Sequence, residues 1–426
     1  MFAEALTSWW LLHSARATSH RPPEWFQSRQ EATLRRLLEH AYLNVPLYRR
    51  LYDEAGFRPE MFRTIDDLTR IPPLTKEALK GARIGEALAR GVDRSTCTVA
   101  HTSGSTGIPI QILVGPYERC WRRAVAWRIL FEHGFRWTDR TLEIRMTHQK
   151  LHWLQRLGLA PKDWGSIRAD PGVWAWQLAR QHHACVVAGA GTLEVLAKAV
   201  ASRPVRPPRV LISDGETLTP RARTIVRKAL GTEPVDVYGL EEVSNFAWEC
   251  EQHDGFHISA DSHLVEVEAP PGEAGPLRVT ALGMWTMPFI RYETGDLAAW
   301  ATAPCPCGRT LPLLATVHGR AVASITTTDG RQLLWPFFYE LLGSEADVVG
   351  WQVRQMDLRS ILVLVVLQKS STDMLARVAS RLQRKLSQDF HIEIQEVDSI
   401  PLESNGKRRL VVPLPRGFDP QDRPIA

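Results

Sequence analysis

One local pattern constrains the fold of this chain more than any other. Arg209-Val-Leu-Ile-Ser213 reads as a strand and runs into the turn Asp214-Gly-Glu216. Thr219-Pro220 then supplies an N-cap and a proline at the first helical position, opening a helix to about Leu230. Val235 to Val237 forms the next strand. Strand, helix and strand in that order predict a parallel sheet with crossover helices, so the chain is read as an α/β protein. A parallel sheet also fixes where a ligand sits, beyond the carboxyl ends of its strands.

Length and composition add bounds. At 426 residues the chain is long for one domain, and two domains are expected, one large and one small. Apolar residues at 44% and charged residues at 23% describe an ordinary globular protein. A formal charge of +5 favours small anions such as nucleotides, and no concentrated Lys/Arg run argues for nucleic acid. Trp9-Trp-Leu-Leu12 and Ile361-Leu-Val-Leu-Val-Val-Leu367 are both too short to span a membrane, and the second reads as a buried strand. Six cysteines in such a length make no disulfide framework, which places the protein in a reducing cytoplasm. The sequence leaves the oligomeric state open, a dimer included.

Further elements follow from periodicity. Glu31 to Tyr52 begins as a helix with Leu34, Leu37, Leu38 and Ala41 on one face, and Pro46 ends its regular part. Ile110 to Val114 reads as a strand and Tyr117 to Phe131 as a long helix. Beyond Arg320 the texture changes. Trp351 to Gln355 and Leu358 to Leu367 read as strands, followed by a helix carrying Met374, Leu375, Val378, Leu382 and Leu386 and a strand from Ile392 to Val397. The expected division is therefore 1–319 and 320–426, the second part a small α+β unit.

Four segments carry chemistry. In His101-Thr-Ser-Gly-Ser-Thr-Gly-Ile-Pro109, the backbone amides and the hydroxyls of Thr102, Ser103, Ser105 and Thr106 can donate to phosphate oxygens, with Gly104 and Gly107 allowing close approach. Taken alone the same run makes an ordinary surface loop. Tyr238-Gly-Leu-Glu-Glu-Val243, Arg291-Tyr-Glu-Thr-Gly-Asp296 with Gly319-Arg320, and Ser404-Asn-Gly-Lys-Arg-Arg409 follow in that order.

This series resembles the motifs of the adenylate-forming superfamily, the acyl-CoA synthetases and their relatives. It is most similar to the phenylacetate–CoA ligase branch and its capsule-biosynthesis (CapK-type) cousins. Asn44-Val-Pro-Leu-Tyr48, Ile71-Pro-Pro-Leu-Thr-Lys76 and Cys305-Pro-Cys-Gly-Arg309 strengthen the likeness, which runs from about residue 30 to residue 412. It implies a large adenylation domain with parallel-rich sheets and helices, plus a small mobile C-terminal domain. It also implies activation of a small carboxylic acid with ATP and Mg²⁺, then transfer to a thiol, coenzyme A first. The rivals are a carrier-protein, amine or hydroxyl acceptor, and a nucleotide-binding module without turnover.

Residue by residue, the resemblance makes Thr102 to Gly107 the phosphate cradle and Glu242 a Mg²⁺ ligand, an oxygen donor suited to a hard cation. Asp296 would accept the ribose hydroxyls and Arg320 would contact the sugar. Tyr238, Gly239 and the turn Asp214, Gly215, Glu216 would hold the adenine, and Lys407 would meet the carboxylate and α-phosphate. Apart from the family, Glu242 reads as a loop glutamate, Asp296 as a turn aspartate, Tyr238 as packed core and Lys407 as a surface lysine. Two departures stand out: Ile108 follows the last loop glycine where a polar residue is usual, and Ala321 follows Gly-Arg where an aspartate is usual.

Cys250, His257, Cys305 and Cys307 offer four soft ligands for a closed tetrahedral Zn²⁺, with His253 competing for the nitrogen position. The alternative is a set of buried free thiols. Relatives with these two segments carry a structural metal. Aromatic residues between Trp121 and Phe131, with residues 148–153 and Ala188 to Thr192, are the expected wall of an acid pocket suited to an aryl group.

Overall fold

The structure is a computed structural model that describes residues 2–101, 110–146, 155, 158–201, 203, 205–320, 324–327, 332–333, 335–343, 345, 347–386, 390–400 and 409–414. The chain forms two compact units. One comprises Met1–Leu218, Ala222–Thr294 and Ala298–Val317, and the other Thr219–Arg221, Gly295–Leu297 and His318–Ala426.

The strands are β1 (Thr98–His101), β2 (Gln111–Val114), β3 (Thr141–Arg145), β4 (Lys162–Ser166), β5 (Cys185–Ala188), β6 (Val210–Asp214) and β7 (Val235–Leu240). They continue as β8 (Ser244–Trp248), β9 (Phe256–Ile258), β10 (His263–Val267), β11 (Gly275–Ala281), β12 (Tyr292–Trp300) and β13 (Leu313–Arg320). The main sheet runs β10-β11-β12-β13-β9-β8-β7-β6-β5-β3-β4. From β4 across to β7 all neighbours are parallel, and β7–β8 and β8–β9 are antiparallel.

The parallel half arises where the sequence predicts it. Every residue of β5 is buried, as are the first four of β6, of which Val210, Leu211 and Ile212 give the apolar run required when helices cover both faces. Helices Pro171–Arg180, Ala190–Val200 and Pro220–Leu230 supply the crossovers, the last opening on the expected proline. Helix Pro116–Glu132 spans the predicted segment.

The helix expected from Glu31, which follows a first helix Phe2–Arg16, differs from the expectation. It starts at Pro23, eight residues before Glu31, because Pro23 serves as a first-turn proline and Phe26 extends the buried face of Leu34, Leu37, Leu38 and Ala41. It ends at Asn44, and a separate helix, Pro46–Glu54, restarts on the proline that stopped the first.

The smaller unit holds β14 (Ile325–Thr326), β15 (Gln332–Leu333), β16 (Val348–Asp357), β17 (Ser360–Leu367), β18 (His391–Glu396) and β19 (Val411–Val412). Its sheet runs β18-β17-β16-β19, with β16–β17 antiparallel and β17–β18 parallel across helix Thr372–Lys385. Ser371 caps that helix by accepting from the Met374 amide at 3.3 Å, and Met374, Val378 and Leu382 bury its apolar stripe. Among the described residues, no helix is long and apolar enough to cross a membrane.

Candidate active site

Thr102, Ser103, Gly104, Ser105, Thr106, Gly107 and Lys407 lie outside the described residues. The two strands flanking the glycine-rich segment pair as a hairpin, with His101 opposite Gln111, so both ends of the segment are tied together. Arg320 is the last residue of β13.

At the carboxyl ends of the parallel strands, Asp214 closes β6 and takes a two-pronged ion pair from Arg145 at 2.5 and 2.6 Å. Arg145 also pairs with Glu143 at 3.0 Å, and Lys162 reaches the other Glu143 oxygen at 2.6 Å. Burial works against the guanidinium charge, but Asp214 and Glu143 more than restore it and raise the pKa of Arg145 above that of an ordinary arginine. Gly215 sits at φ +73°, the left-handed turn a glycine permits. Glu216 Oε2 accepts the Gly191 amide at 2.7 Å, placing a carboxylate in the first turn of helix Ala190–Val200.

The turn between β7 and β8 carries Glu242. Gly239 is required here: a Cβ would lie 2.5 Å from Asn245 Cα and 2.7 Å from the Ser244 carbonyl oxygen. Ser244 itself is left-handed at φ +72°. Glu242 is buried, and its Oε1 accepts from the Tyr292 hydroxyl at 2.8 Å. Arg122, from helix Pro116–Glu132, donates to the Glu241 carbonyl. His263, the first residue of β10, places Nε2 2.9 Å from the Val243 carbonyl, and burial pushes its pKa down to about 4. The Tyr238 ring meets Phe246 edge-on at 5.3 Å.

The segment leading to Asp296 is fixed by the two N-terminal motifs. Tyr48 donates to the Pro288 carbonyl at 3.0 Å and accepts from the Ile290 amide at 2.8 Å. The Leu74 amide donates to the Arg291 carbonyl at 3.1 Å, and the Leu74 carbonyl accepts from Glu293 at 3.0 Å. Arg291 is left-handed at φ +48°, and its buried guanidinium binds Glu266 at 2.8 Å and the Ile71 carbonyl. Thr294 Oγ1 donates to Leu277 at 2.8 Å, Gly295 turns at φ +78°, and Asp296 is buried in β12.

Apart from this, Cys250, His257, Cys305 and Cys307 bring their ligand atoms within 4.8 Å of one another. The sulfurs of Cys250 and Cys305 are 3.6 Å apart, and Cys307 Sγ is 3.3 Å from His257 Nε2. A tetrahedral Zn²⁺ with these ligands has edges of about 3.5–3.8 Å, so the donor set fits such an ion. The Gln252 and Arg309 amides point at Cys250 and Cys307 at 3.4 and 3.5 Å, a polarity suited to thiolates. His257, not His253, completes the group, since His253 turns to Glu249 at 3.1 Å and Arg223 at 3.2 Å.

A family model described as the CapK C-terminal domain matches residues 336–413. A phenylacetate–coenzyme A ligase of Thermus thermophilus is 31% identical over 70% of this chain and 71% of its own length. The chain belongs to the phenylacetate–coenzyme A ligase family. This is a family of adenylate-forming acid–thiol ligases. Its Escherichia coli relative, also a phenylacetate–coenzyme A ligase, is 25% identical over 69% of this chain and 71% of its own. The fold is shared with 2-hydroxyisobutyryl-CoA ligase solved in the postadenylation state with 2-HIB-AMP. The TM-score is 0.77 at 21% identity, covering 93% of this chain and 91% of that one.

Within this ligase fold, Asp214 to Glu216 and Tyr238 to Glu242 sit at the ends of two adjacent strands, since Asp214 pairs with Val237. Of the expected aromatic wall, Trp121 packs on His263 at 5.0 Å, and Trp127 and Phe131 pack on Trp137 at 5.0 and 4.9 Å. The contacts that hold the turn around Glu242 escaped the sequence reading. Arg122 lies 119 positions from its partner, Tyr292 50 and His263 20, so no local pattern marks them.

Proposed function

We propose that this chain activates a carboxylic acid with ATP as an acyl adenylate and passes the acyl group to the thiol of coenzyme A. A substrate carboxylate oxygen attacks the α-phosphorus, its bond to the bridging oxygen breaks, and pyrophosphate leaves. The thiol sulfur then attacks the acyl carbon, AMP departs, and the thiol proton passes to solvent. The observation that carries this reading is the buried, oriented Glu242 carboxylate on the tight turn after β7, in a ligase-family chain.

In this reading the amides and hydroxyls of Thr102 to Gly107 receive the departing phosphates, and Glu242 is an oxygen ligand for Mg²⁺. Bound there, Mg²⁺ would neutralise charge on the phosphate oxygens. Asp296 and Arg320 hold the ribose, while Tyr238, Gly239 and the turn Asp214 to Glu216 line the adenine. Lys407 offsets the charge on the carboxylate and α-phosphate, and 320–426 acts as the domain that carries it. The relatives' phenylacetate makes an aryl acid the first substrate to try. The four-ligand cluster holds a structural Zn²⁺ with no open position for chemistry. Six unpaired cysteines suit the reducing cytoplasm.

Ala321, where the family has aspartate after Gly-Arg, favours a second reading of the last step only, with a carrier-protein thiol, amine or hydroxyl as acceptor. A pyrophosphate-exchange screen over a carboxylic-acid library, aryl and short hydroxy acids included, tests the first step. Acid-dependent exchange is expected, and no exchange with any acid would turn the reading to a nucleotide-binding module. Adding coenzyme A to the responding acid tests the second step.

A further inference from the structure

The turn that carries Glu242 is held from outside by three separate elements. Arg122 of helix Pro116–Glu132 donates to the Glu241 carbonyl, Tyr292 of β12 to the Glu242 carboxylate, and His263 of β10 to the Val243 carbonyl. Three consecutive residues thus receive one donor each from three places in the chain. The backbone closes the turn with the Val243 amide donating to the Leu240 carbonyl at 3.2 Å and with the β7–β8 pairing of Leu240 opposite Ser244. Ser244, which ends the turn, is left-handed at φ +72°, a conformation that costs a side-chain-bearing residue energy.

The chemistry of its neighbours fixes the state of His263. A carbonyl oxygen can only accept, so the hydrogen must reside on Nε2, 2.9 Å from Val243. Nδ1 then holds a lone pair and lies 2.9 Å from the Ser262 hydroxyl oxygen, which itself donates to the Ser259 carbonyl at 2.9 Å. The ring is 0% exposed and packs against Trp121 at 5.0 Å and Phe246 at 5.3 Å, leaving it one orientation.

We infer that His263 is a positioning residue for Glu242: by donating to the next residue's carbonyl, it aims the carboxylate oxygen that Tyr292 does not engage. This rests on the proposed role of Glu242 as a Mg²⁺ ligand. Mg²⁺ tolerates little departure from octahedral geometry, so a carboxylate swung off its direction loses the cation before it loses the nucleotide. Removing the His263 donor therefore acts on the divalent-ion requirement and leaves metal-free nucleotide binding in place.

The test compares His263→Gln, whose amide nitrogen reaches the place of Nε2, with His263→Asn, whose amide reaches only the place of Nδ1. Glu242→Gln is the control. Mn²⁺ binding in the presence of a non-hydrolysable ATP analogue is followed by electron paramagnetic resonance, and amide hydrogen exchange over residues 239–244 is followed without metal. His263→Asn is expected to weaken Mn²⁺ about three- to ten-fold, the worth of one hydrogen bond, and to speed exchange in the turn. His263→Gln should stay within about two-fold of the parent. If His263→Asn fails to fold, Ser262→Ala, which removes the hydroxyl that sits against Nδ1 and ties it to the Ser259 carbonyl, should shift Mn²⁺ binding in the same direction. Equal shifts in the Asn and Gln variants, or an unchanged Mn²⁺ affinity in the Asn variant or in its Ser262→Ala substitute, would overturn the inference. If Glu242→Gln also leaves Mn²⁺ binding intact, the metal role of Glu242 fails, and the inference with it.

Discussion

The Tyr292 hydroxyl donates to Glu242 Oε1 at 2.8 Å, linking residues 50 apart in the chain. Both side chains are buried, and the bond joins the start of β12 to the turn after β7. An ionised carboxylate can only accept, so the tyrosine proton points at it and one of the two carboxylate oxygens is committed. Tyr292→Phe removes that donor and leaves the ring. A hydrogen bond to a charged group is worth about 1.5–3 kcal/mol, and chemical denaturation should show a loss near the lower end. Acid-dependent pyrophosphate exchange should slow by roughly ten-fold, the kinetic equivalent of about 1.4 kcal/mol. A variant with parental exchange but reduced stability would make the contact purely structural.

The cysteine and histidine cluster makes a separate claim. Protein purified without added metal should carry about one equivalent of zinc, by the four-ligand stoichiometry of a closed site. Cys305→Ser should lose that zinc together with thermal stability, and its exchange activity at low temperature should persist where the protein stays folded. Elemental analysis and a melting curve read both. Metal-free protein that melts like the zinc-loaded form would remove the site from the account.

What was legible in the sequence follows from the range of the forces involved. The strand, helix and strand from 209 to 237 are set by apolar runs and a first-turn proline, both local, and β6, helix Pro220–Leu230 and β7 lie where those signals place them. The four zinc-type ligands were legible because few residue types bind soft metals. His257 was the expected nitrogen, and the structure removes its competitor, because His253 is claimed by Glu249 and Arg223. The sequence also points to Asp214 and Glu216 without showing that each carboxylate already has a protein partner, Arg145 for one and the Gly191 amide for the other. Such pairings cross 69 and 25 positions and leave no periodic trace. The N-terminal motifs had the same fate: Tyr48 and Leu74 looked like family landmarks, and only the folded chain shows them gripping the segment from Pro288 to Glu293 that leads to Asp296.

Burial of His263 gives stability a pH dependence. Its pKa falls from 6.5 to about 4 on folding, because the apolar surroundings disfavour the imidazolium. Between those values the unfolded chain binds a proton that the folded chain does not, so stability rises with pH across the window. The contribution is complete above the unfolded pKa and is lost as pH falls through the folded one. A shift of this size corresponds to roughly 3 kcal/mol. Urea unfolding at about pH 7.5 and about pH 4.5 should show a larger drop for the parent than for His263→Gln, which has no such proton to take up. Comparing the two proteins cancels other acid-labile groups, the metal cluster included. Equal drops would mean that His263 titrates normally in the folded chain.

In the proposed reaction, Lys407 would separate the two half-reactions. Forming the adenylate brings a carboxylate against an α-phosphate, two anions whose repulsion a nearby ammonium offsets. A compact charge on a flexible stem suits that task. The second step starts from a mixed anhydride and a thiol, where that repulsion is gone. Lys407→Ala should therefore slow acyl-adenylate formation by roughly 10²–10³-fold, the worth of one preorganised donor. Thioester formation from chemically supplied acyl-AMP should stay close to the parent rate. Single-turnover measurements of each step with the same acid make the comparison direct. An equal loss in both steps would mean that one lysine position serves both. With Ala321 in place of the usual aspartate, it would also move the last step to an acceptor other than coenzyme A.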